Sequence, residues 1–269
     1  MSHSPAPGPG RRTVFRGAAL ASGAAVLGGA FAAPPLQASP VRIAEPALHT
    51  RAAWNARTPS SPVQVLATPP TNIVVHHTAT ANSDDHSLEH ALALSRSIQN
   101  FHMDTQGWID VGQQLTISRG GHVMEGRNRA LPAIREGSQC VGTHVANHNN
   151  TTIGIENEGT YTGVEPTGAL IDALVETLAW LCQAYGLNPD AIVGHRDFNA
   201  TECPGEVLYG MLPELRNRTM GVLEAEGVQV PPHSQADPDA APTYPAVPDD
   251  EPDHTFHHGP VRGPDDISR

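Results

Sequence analysis

Apolar residues in this chain follow two rhythms, and each rhythm predicts an element. Ile73-Val74-Val75 forms a β-branched core within residues 71–78, just after Pro69-Pro70, and reads as a buried strand. Over residues 86–103 the apolar positions Leu88, Leu92, Leu94, Ile98 and Phe101 fit one helix face, and Ser87 is placed to cap its start. Residues 107–119 and 122–126 read as two strands joined at Gly120-Gly121, a hairpin signal. Residues 152–158 form another strand. Leu170, Leu174, Leu178 and Leu181 make a helical stripe that stops before Gly186, with Cys182 in its last turn. Residues 191–193 are a brief strand, and residues 207–218 a last helix that Pro213 is expected to bend. The order predicts an α/β fold: a single domain with a central mixed β-sheet flanked by about three helices.

The two ends break this pattern. Arg11-Arg12 precedes an apolar, Ala/Gly-rich run over about residues 17–33, which is short for a membrane span. With small residues at Ala30 and Ala32, or at Ala38, residues 1–38 resemble a twin-arginine export signal; an ordinary secretory signal is the other reading. Either predicts a secreted protein with no membrane anchor, expected to be a monomer. Residues 226–269 are rich in Pro, Asp and His and lack apolar periodicity, so a disordered tail is expected. Its His254, His257 and His258 read as solvated side chains rather than metal ligands.

Charge removes one class of partner. The formal net charge is -12, whereas phosphate backbones select a basic face, so no nucleic-acid partner is expected. Three cysteines in an exported chain suggest one disulfide and one thiol with another task. Cys140 and Cys182 are the candidate disulfide.

Cys203 lies with His195 in the loop GHRDFNATECPG, residues 194–205. An open catalytic zinc site takes three protein ligands, and His76-His77 at the end of the first strand could supply the third. Side chains alternate along a strand, so one of the two can face a metal. A Cys-His nucleophile pair fits the same residues, and so does a buried histidine beside a bonded cysteine. Spacing leaves these three open.

Four stretches then occur in order: IVVHHTA (73–79), GWIDVGQQLTISRGGHVMEGRN (107–128), GTHVANHNNTTIGIENEG (142–159) and the 194–205 loop. Together they resemble the zinc-dependent N-acetylmuramoyl-L-alanine amidases, the type 2 amidase and peptidoglycan recognition protein family. Arg51-Ala52-Ala53-Trp54 is similar to the recognition-protein branch. The resemblance covers about residues 45–220, and the amidase domain is placed at 45–222. It implies an amidase/peptidoglycan-recognition-like fold, a Zn2+ cofactor, peptidoglycan and its muropeptides as partners, an extracellular, cell-wall-associated location, and hydrolysis of the amide joining N-acetylmuramic acid to L-alanine.

Carried over residue by residue, the metal ligands are His76, His195 and Cys203. Glu156, in the strand motif IGIE, becomes the general acid/base, with Glu158 in reserve. Thr201 matches a position that stabilises the oxyanion. His144, Asn149 and Arg127 become candidate substrate contacts, and Trp108 a core residue. One position departs from the pattern: Gln113 stands where many recognition-type amidases place a tyrosine. That departure keeps a second reading in play, a non-catalytic peptidoglycan-binding module, although such modules commonly lose a metal ligand. A thiol peptidase is the third reading.

Overall fold

The computed structural model describes residues 42–232. The expected export segment and residues 233–269 of the expected tail lie outside them. Eight strands, β1 (Leu48–His49), β2 (Val65–Leu66), β3 (Asn72–His77), β4 (Leu115–Ile117), β5 (Val123–Glu125), β6 (Gln139–Cys140), β7 (Thr152–Asn157) and β8 (Ile192–Gly194), alternate with five helices. These are α1 (Leu88–Asn100), α2 (Ala130–Arg135), α3 (Gly168–Tyr185), α4 (Glu206–Gly210) and α5 (Leu212–Ala225). Six strands form one mixed sheet in the order β1-β5-β4-β7-β3-β8, while β2 and β6 pair separately. Only the β4–β5 hairpin within the main sheet is antiparallel.

Strand alternation gives this sheet two unlike faces. Ile73, Val75, Leu115, Ile117, Val123, Ile153, Ile155 and Ile192 point to one face and are buried against Leu170, Leu174 and Leu178 of α3 and Leu212, Leu215 and Leu223 of α5. Large-to-small changes in such a core cost about 2–5 kcal/mol. The longest helix, α3, is closed at both ends by residues suited to the task. Thr167 Oγ1 accepts from Leu170 N at 3.2 Å, and Gly186 supplies the left-handed exit at φ 64°. The opposite face carries polar residues. It is partly covered by α1, whose Ala91 packs against Met124 and Trp54. Ser87 caps α1 by accepting from His90 N.

Three expectations are corrected. Residues 107–114 form a buried loop rather than a strand, because Asp110 draws the chain inward: it accepts from Gln99 Nε2 at 2.6 Å and Asn128 N at 2.8 Å and pairs with Arg51 at 3.1 Å. The last helix is broken at Met211 into α4 and α5 rather than bent at Pro213. Pro213 falls in the first turn of α5, where a missing N–H leaves no intrahelical bond unmade. Cys140 and Cys182 are not disulfide-bonded; both are buried free thiols. Cys140 Sγ donates to Asn128 O, and burial raises both thiols to about 12, which keeps them protonated. No helix among the described residues is long and apolar enough to cross a membrane.

Candidate metal centre

The polar face is organised by register. His49 pairs with Met124, Met124 with Thr116, Thr116 with Glu156 and Glu156 with His76. Paired residues share a face, so one straight row crosses five strands and ends on His76 and Glu156. His77 points the other way and accepts from Tyr161 N through Nδ1 at 3.2 Å. Beyond His76 the row meets His195, which follows β8 directly.

The loop carrying His195 and Cys203 is held by its own side chains. Asp197 accepts from Gly194 N at 2.7 Å and from the Tyr209 hydroxyl at 2.5 Å. Arg196 N donates to Cys203 O, and Arg196 lies over the Tyr209 ring and pairs with Glu206 at 2.7 Å. A Cβ on Gly194 would stand 2.7 Å from the Tyr209 ring, so only glycine fits there. Thr201 Oγ1 accepts from Cys203 N at 3.2 Å, fixing the cysteine backbone.

These supports bring His76, His195 and Cys203 together, each buried, with one ligand atom from each within 4.8 Å of the others. Cys203 Sγ lies 3.5 Å from His76 Nδ1. Both rings are held through the other nitrogen: His76 Nε2 meets His144 Nδ1 at 3.0 Å, and His195 Nε2 meets Asn199 Oδ1 at 3.1 Å. With hydrogen on each Nε2, both Nδ1 lone pairs are left for a cation. His195 Nδ1 is a buried atom with no hydrogen-bond partner among the described residues. A buried lone pair without a donor is costly, and a metal would satisfy it. Two neutral imidazoles and a thiolate suit zinc, with a fourth position left open.

Electrostatics agree. Burial lowers His144 to about 3 and His195 to about 4, so both rings are neutral at pH 7. Burial, then the Glu156 charge, pushes the Cys203 thiol well up; a bound cation reverses that preference. Glu156 is also raised well above the usual carboxylate range by burial, and its Oε2 has no hydrogen-bond partner among the described residues.

The other expected residues fall into three groups. His144 touches His76 directly, and its ring covers Gly154. Asn149 lies beneath it, accepting from His144 N and Val145 N through Oδ1. Arg127 is 1% exposed and donates to Val111 O, beneath the 107–114 loop. Gln113 is equally enclosed and donates to Thr116 Oγ1 at 2.9 Å. Glu158 bonds His90 Nε2 at 2.5 Å. Sequence reasoning gave no role to Asn199, whose Oδ1 also accepts from Ala146 N; its place four residues after His195 was the available signal. A cavity of about 610 Å³, lined by Ile134, Arg135, Trp180 and Gln183 among others, shares no residue with this cluster.

A family comparison agrees with the ligand cluster. Residues 66–206 match the family model described as N-acetylmuramoyl-L-alanine amidase. The chain belongs to the N-acetylmuramoyl-L-alanine amidase family. It is 34% identical to the human protein of that name over 169 residues, 62% of this chain, and spans 28% of the length of that relative. It is 32% identical to peptidoglycan-recognition protein SD of Drosophila melanogaster, over 62% of this chain and 85% of that one. Among solved structures, Drosophila peptidoglycan recognition protein SD superposes with a TM-score of 0.54 at 31% identity, covering 63% of this chain and 95% of that one. A human recognition protein in complex with glycosamyl muramyl pentapeptide gives 0.53 at 25% identity, covering 62% and 94%. A Drosophila PGRP-LB variant in complex with tracheal cytotoxin gives 0.53 at 26%, covering 61% and 92%.

Proposed function

We propose that the protein is an exported zinc amidase that cleaves the bond between N-acetylmuramic acid and L-alanine of peptidoglycan. The observation that carries the reading is the buried His76, His195 and Cys203 triad with the unpaired Glu156 carboxyl beside it in the same strand row. Relatives bound to muramyl peptides and tracheal cytotoxin support the substrate class. When bound, zinc supplies Lewis acidity toward the amide carbonyl and acidifies the attacking water.

The chain supplies the rest. Glu156 takes the proton of the water at a carboxylate oxygen and returns it to the leaving alanine nitrogen. Burial raises it well above the usual carboxylate range, which favours its holding a proton between the two transfers. Thr201 can turn its hydroxyl hydrogen outward, because its oxygen already accepts from Cys203 N. His144 and Asn199 hold the ligand rings. The polypeptide around them shields the site from bulk water, with Glu156 only 5% exposed.

The test is to incubate the zinc-loaded protein with muropeptides and weigh the products. Free stem peptide plus unsubstituted muramic acid is expected. Glu156→Gln should lose about 10²–10⁴-fold in turnover and still hold zinc. Gln113, at the place of the recognition-type tyrosine, favours a second reading, capture without cleavage. Muropeptides that bind and come back intact from the zinc-loaded parent would establish it.

A further inference from the structure

We propose that His90, held by Glu158, reads a free carboxylate on the stem peptide, one residue beyond the scissile bond. The inference rests on the amidase reading and adds the charge of the preferred substrate to it.

Glu158 extends β7 by one residue, since its N–H donates to Ile117 O at 2.8 Å. Two residues past Glu156, alternation returns its side chain to the same polar face. Both carboxylate oxygens are committed. Oε2 accepts from Arg119 N at 2.8 Å and Oε1 meets His90 Nε2 at 2.5 Å. The Glu158 side chain is 2% exposed and out of reach of a ligand, while that of His90 is 26% exposed. His90 sits in the first turn of α1, the helix that covers the neighbouring part of this face through Ala91 and Met124. It therefore overhangs the floor that runs from Glu156 to Glu158.

The dyad leaves one hydrogen-bonding atom unused. No group among the described residues bonds His90 Nδ1. As an imidazolium, His90 donates from both nitrogens, one to Glu158 and one outward. Arg119 lies alongside, anchored by Nε to Ser83 O at 2.9 Å.

Distance sets which carboxylate is read. Same-face residues two apart on a strand are about 7 Å apart, and two extended peptide residues span about 7 Å. A peptide with its scissile amide over Glu156 brings the carboxylate of its second residue to His90.

Two muramoyl dipeptides of the same shape make the test: muramoyl-L-alanyl-D-isoglutamate carries that carboxylate, and muramoyl-L-alanyl-D-isoglutamine carries an amide in its place. For the zinc-loaded parent, kcat/KM should favour the carboxylate peptide about tenfold, through KM, as expected of a charge-assisted hydrogen bond. His90→Gln should bring the ratio to about one, and His90→Lys should keep it above one. No preference in the parent, or an undiminished ratio in His90→Gln, overturns the proposal. So does an equal loss on both peptides accompanied by a lower melting temperature, which marks a tie of α1 alone. If the parent cleaves neither peptide, the amidase reading fails by itself, and calorimetric binding of the same pair decides this one. A carboxylate preference abolished by His90→Gln sustains it, and equal binding of the two peptides overturns it.

Discussion

Asn199 does for His195 what His144 does for His76: each occupies Nε2 and so turns Nδ1 toward the cysteine. Such supporting bonds are commonly worth 10–100-fold in metal affinity. Asn199→Ala should therefore weaken zinc binding by about that factor while the fold persists, as read by competition with a chelating dye. His195→Ala should remove zinc almost entirely. Cys203 adds a pH dependence. Its thiol is protonated in the metal-free protein, because burial raises it well above the usual thiol range. Zinc must displace that proton, so affinity should rise with pH, and a titration in weak buffer should release about one proton per zinc bound. Zinc uptake without proton release would remove Cys203 from the ligand set.

At the scale of elements, the site depends on glycines that carry no chemistry. Gly154 lies in β7 under the His144 ring, and a Cβ there would stand 2.6 Å from Nδ1. Gly154→Ala should push His144 off His76 and lower zinc affinity about as much as loss of the bond itself, with little change in secondary structure by circular dichroism. The sequence showed β3 through its β-branched run after Pro69-Pro70, β7 through the alternation of Ile153 and Ile155, and α3 through leucines at helical spacing that stop before Gly186. It hid β1, β2 and β6, since two-residue strands leave no period to read. The loop at 107–114 misled because its apolar residues alternate like a strand, while the bonds to Asp110 that curl it come from Arg51, Gln99 and Asn128, all outside the stretch. Resemblance, not spacing, singled out His76 from His77. The bond between Glu158 and His90 joins residues 68 apart, and nothing local in the chain announces it.

Across the whole molecule, buried neutral histidines set the acid limit. Burial is the main cause lowering His77, His102 and His144 to about 3 and His195 to about 4. Their folded values lie below the unfolded value of about 6.5. Between those limits the unfolded chain binds more protons, so stability falls as pH falls. The metal-free protein should be as stable at pH 8 as at pH 7 with respect to these groups. It should then lose up to about 1.4 kcal/mol per pH unit for each histidine as pH drops from 6 toward 4. Guanidinium midpoints across that range measure it, and a flat profile would refute it.

The row from His49 to His76 carries one last consequence. A slip of one position between β3 and β7 would send His76 into the oily layer under α3 and bring Val75 out beside Glu156. No mispaired sheet can then assemble the three ligands, so after refolding the fraction of chains that retain zinc counts the chains whose strands found their proper partners.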